Sequence, residues 1–426
     1  MEITKARLIS NGELAKHYRV FLALLAYKVI YLLAISAAIS IWPKDAHANI
    51  FHSDRQVVTP DGYLTFDSHF ASWDAEHYLF IAAHGYEAGA GRCAFYPLFP
   101  MMIRYFSIVT FGSQLLAGMI LSNLFSLVGW FIFFMLVCRR FGESTAKLAV
   151  ILLMTFPGAL FFQFIYTESL FFLLLMLLLL GLQENWFWLA LAAGFLLPLA
   201  RAVGLFCVFP LLWHVMTHSA PGCCASWEEK LPWGKQKSMV VEQTQASASR
   251  MGAISTNQFR GGNGWLLLAP ICGWAVYLLL MKHWTGNAFE GFEAQKQFGV
   301  QSIGNLFDLT HFLSTLATPT SFDEIRGSSV DRCSFMLLMY SLPIIWRLDK
   351  GWFLWSLFLG IVPAMTGMFV SYTRFAAVVF PLFIALAVFL NMPGLLFRSL
   401  RVVIIATFFI LQMILVWRFV NYRWAG

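Results

Sequence analysis

Eleven stretches of this chain are apolar over lengths close to the roughly 20 residues that carry a helix across a bilayer. They lie near residues 18–42, 113–138, 145–162, 166–182, 186–200, 203–217, 264–284, 333–348, 351–370, 375–391 and 402–420. In hydrocarbon a backbone must satisfy its own N–H and C=O groups, so each run is expected to be helical. The chain therefore reads as one integral membrane domain over residues 1–426, all-α and polytopic, with about 11 transmembrane helices. Composition agrees: 59% of residues are hydrophobic and 12% charged, about half the charge of an average soluble domain. Residues 94–111 are also apolar, but Pro97 and Pro100 break them, which predicts a re-entrant or interfacial piece.

Lys and Arg set the orientation. The short loops holding Arg139–Arg140, Arg347 and Arg398–Arg401 fall on the same side as the N-terminus, which predicts that this side is cytoplasmic. The net charge of +7 then reflects topology and attraction to anionic membrane lipids, and no nucleic acid partner is implied. Residues 1–17 are polar and the run after them is long enough to span, so the first segment is expected to stay as an anchor rather than be cleaved. Lys28, inside that first run, is expected to snorkel or to pair with another span.

Three longer connections follow from this topology. Residues 43–112 form a first outer loop, acidic and expected to carry a helix. Residues 218–263 form an inner loop rich in Ser, Gln, Gly and Lys without an apolar period, expected to be mobile. Residues 285–331 form a second outer loop, where Leu306, Leu309, Phe312, Leu313 and Leu316 predict a helix lying on the bilayer. Seven cysteines without a CxxC pair indicate neither a zinc site nor a disulfide framework, and a bridge between Cys93 and Cys333 is not expected.

Chemistry is expected at residues 73–86, Trp-Asp-Ala-Glu-His-Tyr-Leu-Phe-Ile-Ala-Ala-His-Gly-Tyr. At 100° per residue Asp74, His77, Ile81 and His84 fall within about 80° of one another, while Glu76 points elsewhere. Asp74 is the candidate base; the plain alternative is an acid in a first turn, favoured by the helix dipole. His77 and His84 would orient it or bind a phosphate, and their spacing matches no familiar metal motif. Glu168 opens a later run on the same outer side and has the same two readings. Arg201 and Arg374 stand at outer helix boundaries, where they either snorkel or hold an anionic group, and Lys282 and His283 are weaker candidates of that kind.

The stretch from Trp73 to Tyr86, followed by Ala-Phe-Tyr-Pro-Leu-Phe-Pro at 94–100, resembles the PIG-V-type GPI mannosyltransferases and their bacterial relatives. That family carries W-D-A-x-x-[FY]-[LF]-x-I-A-x-x-G-Y and then A-F-[FY]-P-x-x-P. Tyr166 to Leu170 is similar to its Y-S-E-S-L, with Thr167 in place of a serine. Arg201 to Gly204 is similar to its R-S-N-G, although Ala202 and Val203 replace the polar pair. The resemblance implies a GT-C fold and an inverting transfer of mannose from a polyprenyl-phosphate sugar donor to a lipid-linked or glycan acceptor, with no required metal or other cofactor. It puts the catalytic acid in the first outer loop, and the residues suit that chemistry: Asp74, with Glu168 and His77, at the catalytic centre and the donor phosphate on Arg201 and Arg374. Trp73, Glu76, His84, Tyr86, Tyr96 and Tyr166 would line the site.

Two other readings follow from the residues alone. A transporter or flippase of an anionic lipid-linked substrate would use the same arginines without a covalent step, and a scaffold would leave the Asp74 stripe without a role. A bacterial cell membrane is the favoured location, the endoplasmic reticulum membrane if the source is eukaryotic, since the terminal Tyr-Arg-Trp-Ala-Gly holds no retrieval signal.

Overall fold

In the computed structural model, residues 11–41, 66–219, 264–297, 303–322, 324 and 327–425 are described, and all their regular structure is helical. The acidic stretch 43–65 and most of the inner loop, residues 220–263, lie outside the described residues. In chain order the helices are α1 (Asn11–Ile41), α2 (Asp74–His84), α3 (Leu98–Phe106), α4 (Gln114–Phe141), α5 (Glu143–Thr155) and α6 (Glu168–Glu184). Next come α7 (Phe187–Ala200), α8 (Val208–Ser219), α9 (Trp265–Thr285), α10 (Glu290–Gln297), α11 (Leu309–Ala317) and α12 (Ser329–Leu348). The chain continues through α13 (Lys350–Ser356), α14 (Val362–Gly367), α15 (Tyr372–Ala376), α16 (Phe380–Leu390) and α17 (Leu395–Val420).

Every apolar run meets helix, but the runs are not equally long helices. Among the described residues four stretches are long and apolar enough to cross a membrane by length and composition: His17–Ser40 within α1, α4, α9 and α17. Others are divided. Run 145–162 splits into α5 and a 3₁₀ turn, Pro157–Phe162, because the residue before a proline is driven out of the helical region; Phe156 sits at φ −57°, ψ 139°. Run 351–370 is broken by a π-helical turn, Leu357–Ile361. In the second outer loop Asp308 accepts a bond from the His311 amide (2.9 Å), so α11 starts at Leu309 and leaves Leu306 in a preceding 3₁₀ turn. Of the predicted apolar stripe, Phe312 is buried and Leu309 and Leu313 are exposed.

Around α6 the bundle is densest: α4 packs on one side and α7 on the other, and α7 in turn packs against α9. The first turn of α6 is wholly buried from Glu168 through Phe172, as expected of a helix that is apolar all round. Its length sets a scale, about 25 Å at 1.5 Å per residue. At the far end Glu184 pairs with Arg139 of α4. Nearby in the same layer Arg140 pairs with Asp349 (2.8 Å), and Asn391 meets Ser144, Thr145 and Arg401. The basic short loops thus gather at one end of the bundle, and Glu168 stands at the other.

Lys28 does pair with other segments. Its buried ammonium donates to Ser126 Oγ (2.6 Å), to the Phe162 carbonyl (3.0 Å) and to Gln163 Oε1 (3.0 Å), and lies 4.2 Å from the Trp130 ring centre. These partners include the Phe162 carbonyl that ends the 3₁₀ turn after α5, so the lysine of one span satisfies irregular backbone in another. Cys93 is buried and Cys333 exposed, and both are free thiols. Burial pushes the Cys93 thiol up to about 11.

The break at Pro157 has a second consequence. A Cβ on Gly158 would lie 2.1 Å from the Thr373 carbonyl oxygen, so only glycine lets the 3₁₀ turn touch α15. Gly158→Ala is expected to push α15 away and to cost about 1–3 kcal/mol, the usual range for overpacking. Thermal unfolding of the two proteins in detergent checks this, and equal midpoints would mean the contact is loose.

Candidate active site

Four charged side chains from four separate parts of the chain meet at the Glu168 end of the bundle. Three of them stand at the end of a helix and the fourth lies within a very short one. Asp74 is the first residue of α2, reached through Trp73, which holds the left-handed φ of 58° with ψ −130°. A bulky residue in that region is strained and persists only where its surroundings hold it. Glu168 is the first residue of α6; neither its cap residue Thr167 nor the residue before α2 makes a side-chain capping bond. Arg201 follows the last turn of α7 in an extended conformation, and Arg374 sits inside the short α15.

These charges alternate in sign along a chain of contacts. Arg374 Nη1 pairs with Asp74 Oδ2. Arg374 Nε lies 2.8 Å from Glu168 Oε1, and Arg201 Nη1 donates to the same oxygen at 2.5 Å. The cluster is therefore neutral overall, which is what burial at a membrane protein's edge demands. Glu168 is fully buried and Arg201 nearly so, while Asp74 keeps about a quarter of its side chain exposed, 27%. Burial alone would lower the pKa of Arg374, but Asp74 and Glu168 raise it above the ordinary value, so the guanidinium stays charged. Glu168 Oε2 is buried with no donor among the described residues.

Aromatic rings frame the cluster. The Arg374 guanidinium lies 5.3 Å from the Tyr166 ring centre and 5.7 Å from that of Phe161, and Arg201 lies 4.7 Å from Phe375. Beside the Asp74–Arg374 pair a narrow cleft opens between Trp73, Phe161, Tyr166, Phe419 and Trp424. Trp424 follows α17 and meets Trp73 edge to face at 5.3 Å. The segment that carries it is tied down by Ser68–Tyr422 (2.5 Å) and by Arg418 Nε donating to the Trp424 carbonyl (2.6 Å).

Of the residues singled out from the sequence, Asp74, Glu168, Arg201, Arg374, Trp73 and Tyr166 share this place. The others do not share it. His77 stacks on Phe95 at 4.6 Å, and His84 is exposed beside Phe80, also at 4.6 Å. Ile81, on the same stripe, is fully buried. Glu76 is buried in the body of α2. Tyr86 donates to the Phe95 carbonyl (2.8 Å) and stacks on Trp284, and Tyr96 stacks on Tyr277, so this pair docks the first outer loop against α9. Lys282 and His283 are exposed in the last turn of α9, outside the ion-paired cluster.

The conjunction of a partly exposed carboxylate, two arginines and an aromatic cleft lies mostly in the first half of the chain, and there the comparisons with known proteins agree. Residues 16–213 match the mannosyltransferase (PIG-V) family. The match confirms the resemblance over that region, which holds Asp74, Glu168 and Arg201 and ends before Arg374. No curated protein matches the sequence. Among solved structures the chain is similar to the archaeal oligosaccharyltransferase AglB from Archaeoglobus fulgidus in complex with an inhibitory peptide and a dolichol-phosphate, at 12% identity and a TM-score of 0.45. It is likewise similar to the apo form of the oligosaccharyltransferase from that organism, at 13% identity and a TM-score of 0.46. Each alignment covers 95% of this chain and 56% of the other, so the chain spans about half their length.

Glu168 holds both arginines, which makes it the most sensitive member for stability. Glu168→Gln leaves two buried guanidinium groups facing one carboxylate, and a broken buried pair typically costs about 3–5 kcal/mol. Unfolding in nanodiscs is expected to show a loss of that order. A change below about 1 kcal/mol would mean that water already enters the cluster.

Proposed function

We propose that the protein is an inverting mannosyltransferase of GT-C architecture that takes its sugar from a polyprenyl-phosphate donor and passes it to a lipid-linked or glycan acceptor. The observation that carries this is the alternating cluster Asp74–Arg374–Glu168–Arg201 beside an aromatic cleft, with the family match across three of its four members. The basic loops at the opposite end of the bundle support an outward-facing site, and the apolar helices around the cluster would keep the prenyl chain in the bilayer.

The reaction needs a base and a cation in separate roles. An acceptor hydroxyl attacks the anomeric carbon as the bond from that carbon to the phosphate oxygen breaks on the opposite face. The hydroxyl proton passes to a carboxylate, and the bonding pair leaves with the prenyl phosphate, whose negative charge grows. Asp74 suits the base, being the more exposed acid of the cluster. Arg374, with Arg201 behind it, suits the phosphate, since fixed guanidinium groups stabilise developing charge without a metal ion.

Because Asp74 and Arg374 are paired with each other, donor binding would exchange one partner for another. The phosphate takes Arg374 and Asp74 is released with its charge intact, ready for the acceptor. Glu168 would keep both arginines in place throughout. A transporter of anionic lipids would use the arginines but has no use for two carboxylates that neutralise them.

Asp74→Asn is expected to fold, to bind donor and to lose about 10²- to 10⁴-fold in transfer, the usual cost of removing a general base. Arg374→Ala should lose on the order of 10², and Arg374→Lys should recover only part of that, having charge without the fork. The assay follows radiolabelled mannose from a polyprenyl-phosphate mannose donor into a membrane extract. If well-folded Asp74→Asn transfers at half the parent rate, the base lies elsewhere.

A further inference from the structure

Arg374 belongs to one of the least relaxed parts of the backbone. Three non-glycine residues just before it, Met368, Phe369 and Ser371, hold φ values of 46°, 67° and 52°. Left-handed conformations at side-chain-bearing residues persist only when neighbouring groups over-determine them. What holds this turn comes from α12 and the connection before it. Phe369 is fully buried and stacks on Phe312 of α11 at 4.8 Å. Asp331, in the first turn of α12, is fully buried and spans the gap to the residue next to Arg374.

The bonds of Asp331 are complete and divided. Oδ1 accepts from the Thr373 amide and the Thr373 hydroxyl, both at 2.7 Å. Oδ2 accepts from the Ser328 amide at 3.0 Å and the Ser328 hydroxyl at 2.7 Å, closing a capping box with the Asp331 amide. One oxygen thus caps its own helix, as many aspartates do. The other grips the start of α15, a five-residue helix too short to hold its own orientation. On the far side of the same residue, in the next peptide, the Thr373 carbonyl rests against Gly158. Thr373, the residue preceding Arg374, is therefore held from two directions, and the capping role accounts for only half of the Asp331 contacts.

We infer that Asp331 is a positioning residue for the donor phosphate: by binding Thr373 it fixes the backbone from which Arg374 reaches the cluster. The inference rests on the reading of Arg374 as the phosphate ligand. Asp331 itself touches no reacting group. Its effect passes through one residue, Thr373, so it should disappear when the Arg374 fork is already lost.

The test separates the two halves of the Asp331 carboxylate. Asp331→Asn and Thr373→Val weaken the grip on α15, whereas Ser328→Ala removes the hydroxyl from the capping half alone. Transfer from farnesyl-phosphate mannose and binding of farnesyl phosphate, the latter by tryptophan fluorescence, are measured for each purified variant. Thr373→Val is expected to lower kcat/KM for the donor about tenfold and to weaken farnesyl phosphate binding severalfold, and Asp331→Asn to do more. Ser328→Ala should lower the unfolding temperature while leaving both donor readouts within twofold. In an Arg374→Lys background, Thr373→Val should cost less than threefold.

A full tenfold loss on that background would show that Asp331 acts through the general fold, and the inference falls. Donor losses in Ser328→Ala as large as those in Thr373→Val would overturn it in the same way. Should Asp331→Asn fail to fold, Thr373→Val, which deletes one hydroxyl and keeps the amide bond, decides the matter alone. If Arg374→Lys and Arg374→Ala both bind farnesyl phosphate like the parent, the phosphate reading itself has failed, whatever Thr373→Val does.

Discussion

Arg374 is the pivot of this structure. Its guanidinium joins the first turn of α2 to the first turn of α6 across sequence separations of 300 and about 200 residues, and through Glu168 it is tied to the end of α7. A single unpaired charge here would cost more than the fold can spare, so the position of each member depends on the others. The packing of α4, α6 and α7 supplies a rigid floor, and the cluster then selects how α2 and α15 lie on it. The connections to both of those elements carry strained residues, Trp73 on one side and the turn at 368–371 on the other. Strain of this sort is tolerated where ion pairs and buried hydrogen bonds compensate it.

Hydropathy made the helices legible because twenty apolar residues in lipid have few alternatives to a helix. A break was legible where proline caused it at Pro97, directly before α3. The continuity of each helix was not, since a π-helical turn such as Leu357–Ile361 carries no signal in composition. The start of the outer helix was also misplaced: capping by Asp308 begins it about one turn later than the leucines suggest.

At the site, the residues that could be read were those whose local position is itself unusual, a charge at the end of an apolar run. Glu168, Arg201 and Arg374 fit that description, and Asp74 was read from the polar stripe it shares with His77 and His84. Their pairing could not be read, because Coulomb attraction between positions 74 and 374 leaves no trace in either neighbourhood. The stripe of Asp74, His77 and His84 shows the opposite error. The angular reading of α2 was sound, but ten residues of helix carry the chain about 15 Å along its axis, so His84 leaves the cluster while remaining on its face. Asp331 was invisible for a different reason: its decisive partner is a backbone amide, which every residue but proline possesses.

Neutrality also bears on how such a site would work. A cluster with two acids and two arginines has no net attraction for an anion, so a phosphate gains only by displacing one of the acids. Asp74 is the member that can leave, being partly exposed and held by one arginine, whereas Glu168 is buried and shared by two. Displacement of Asp74 then couples two events that a transferase must keep in order. Under the proposed function the carboxylate would lose its counter-ion only when the phosphate had taken its place, so the base would face the acceptor only when a donor was present. An ion pair that looks like simple stabilisation in the donor-free protein is, on this view, what keeps Asp74 from acting before the donor arrives.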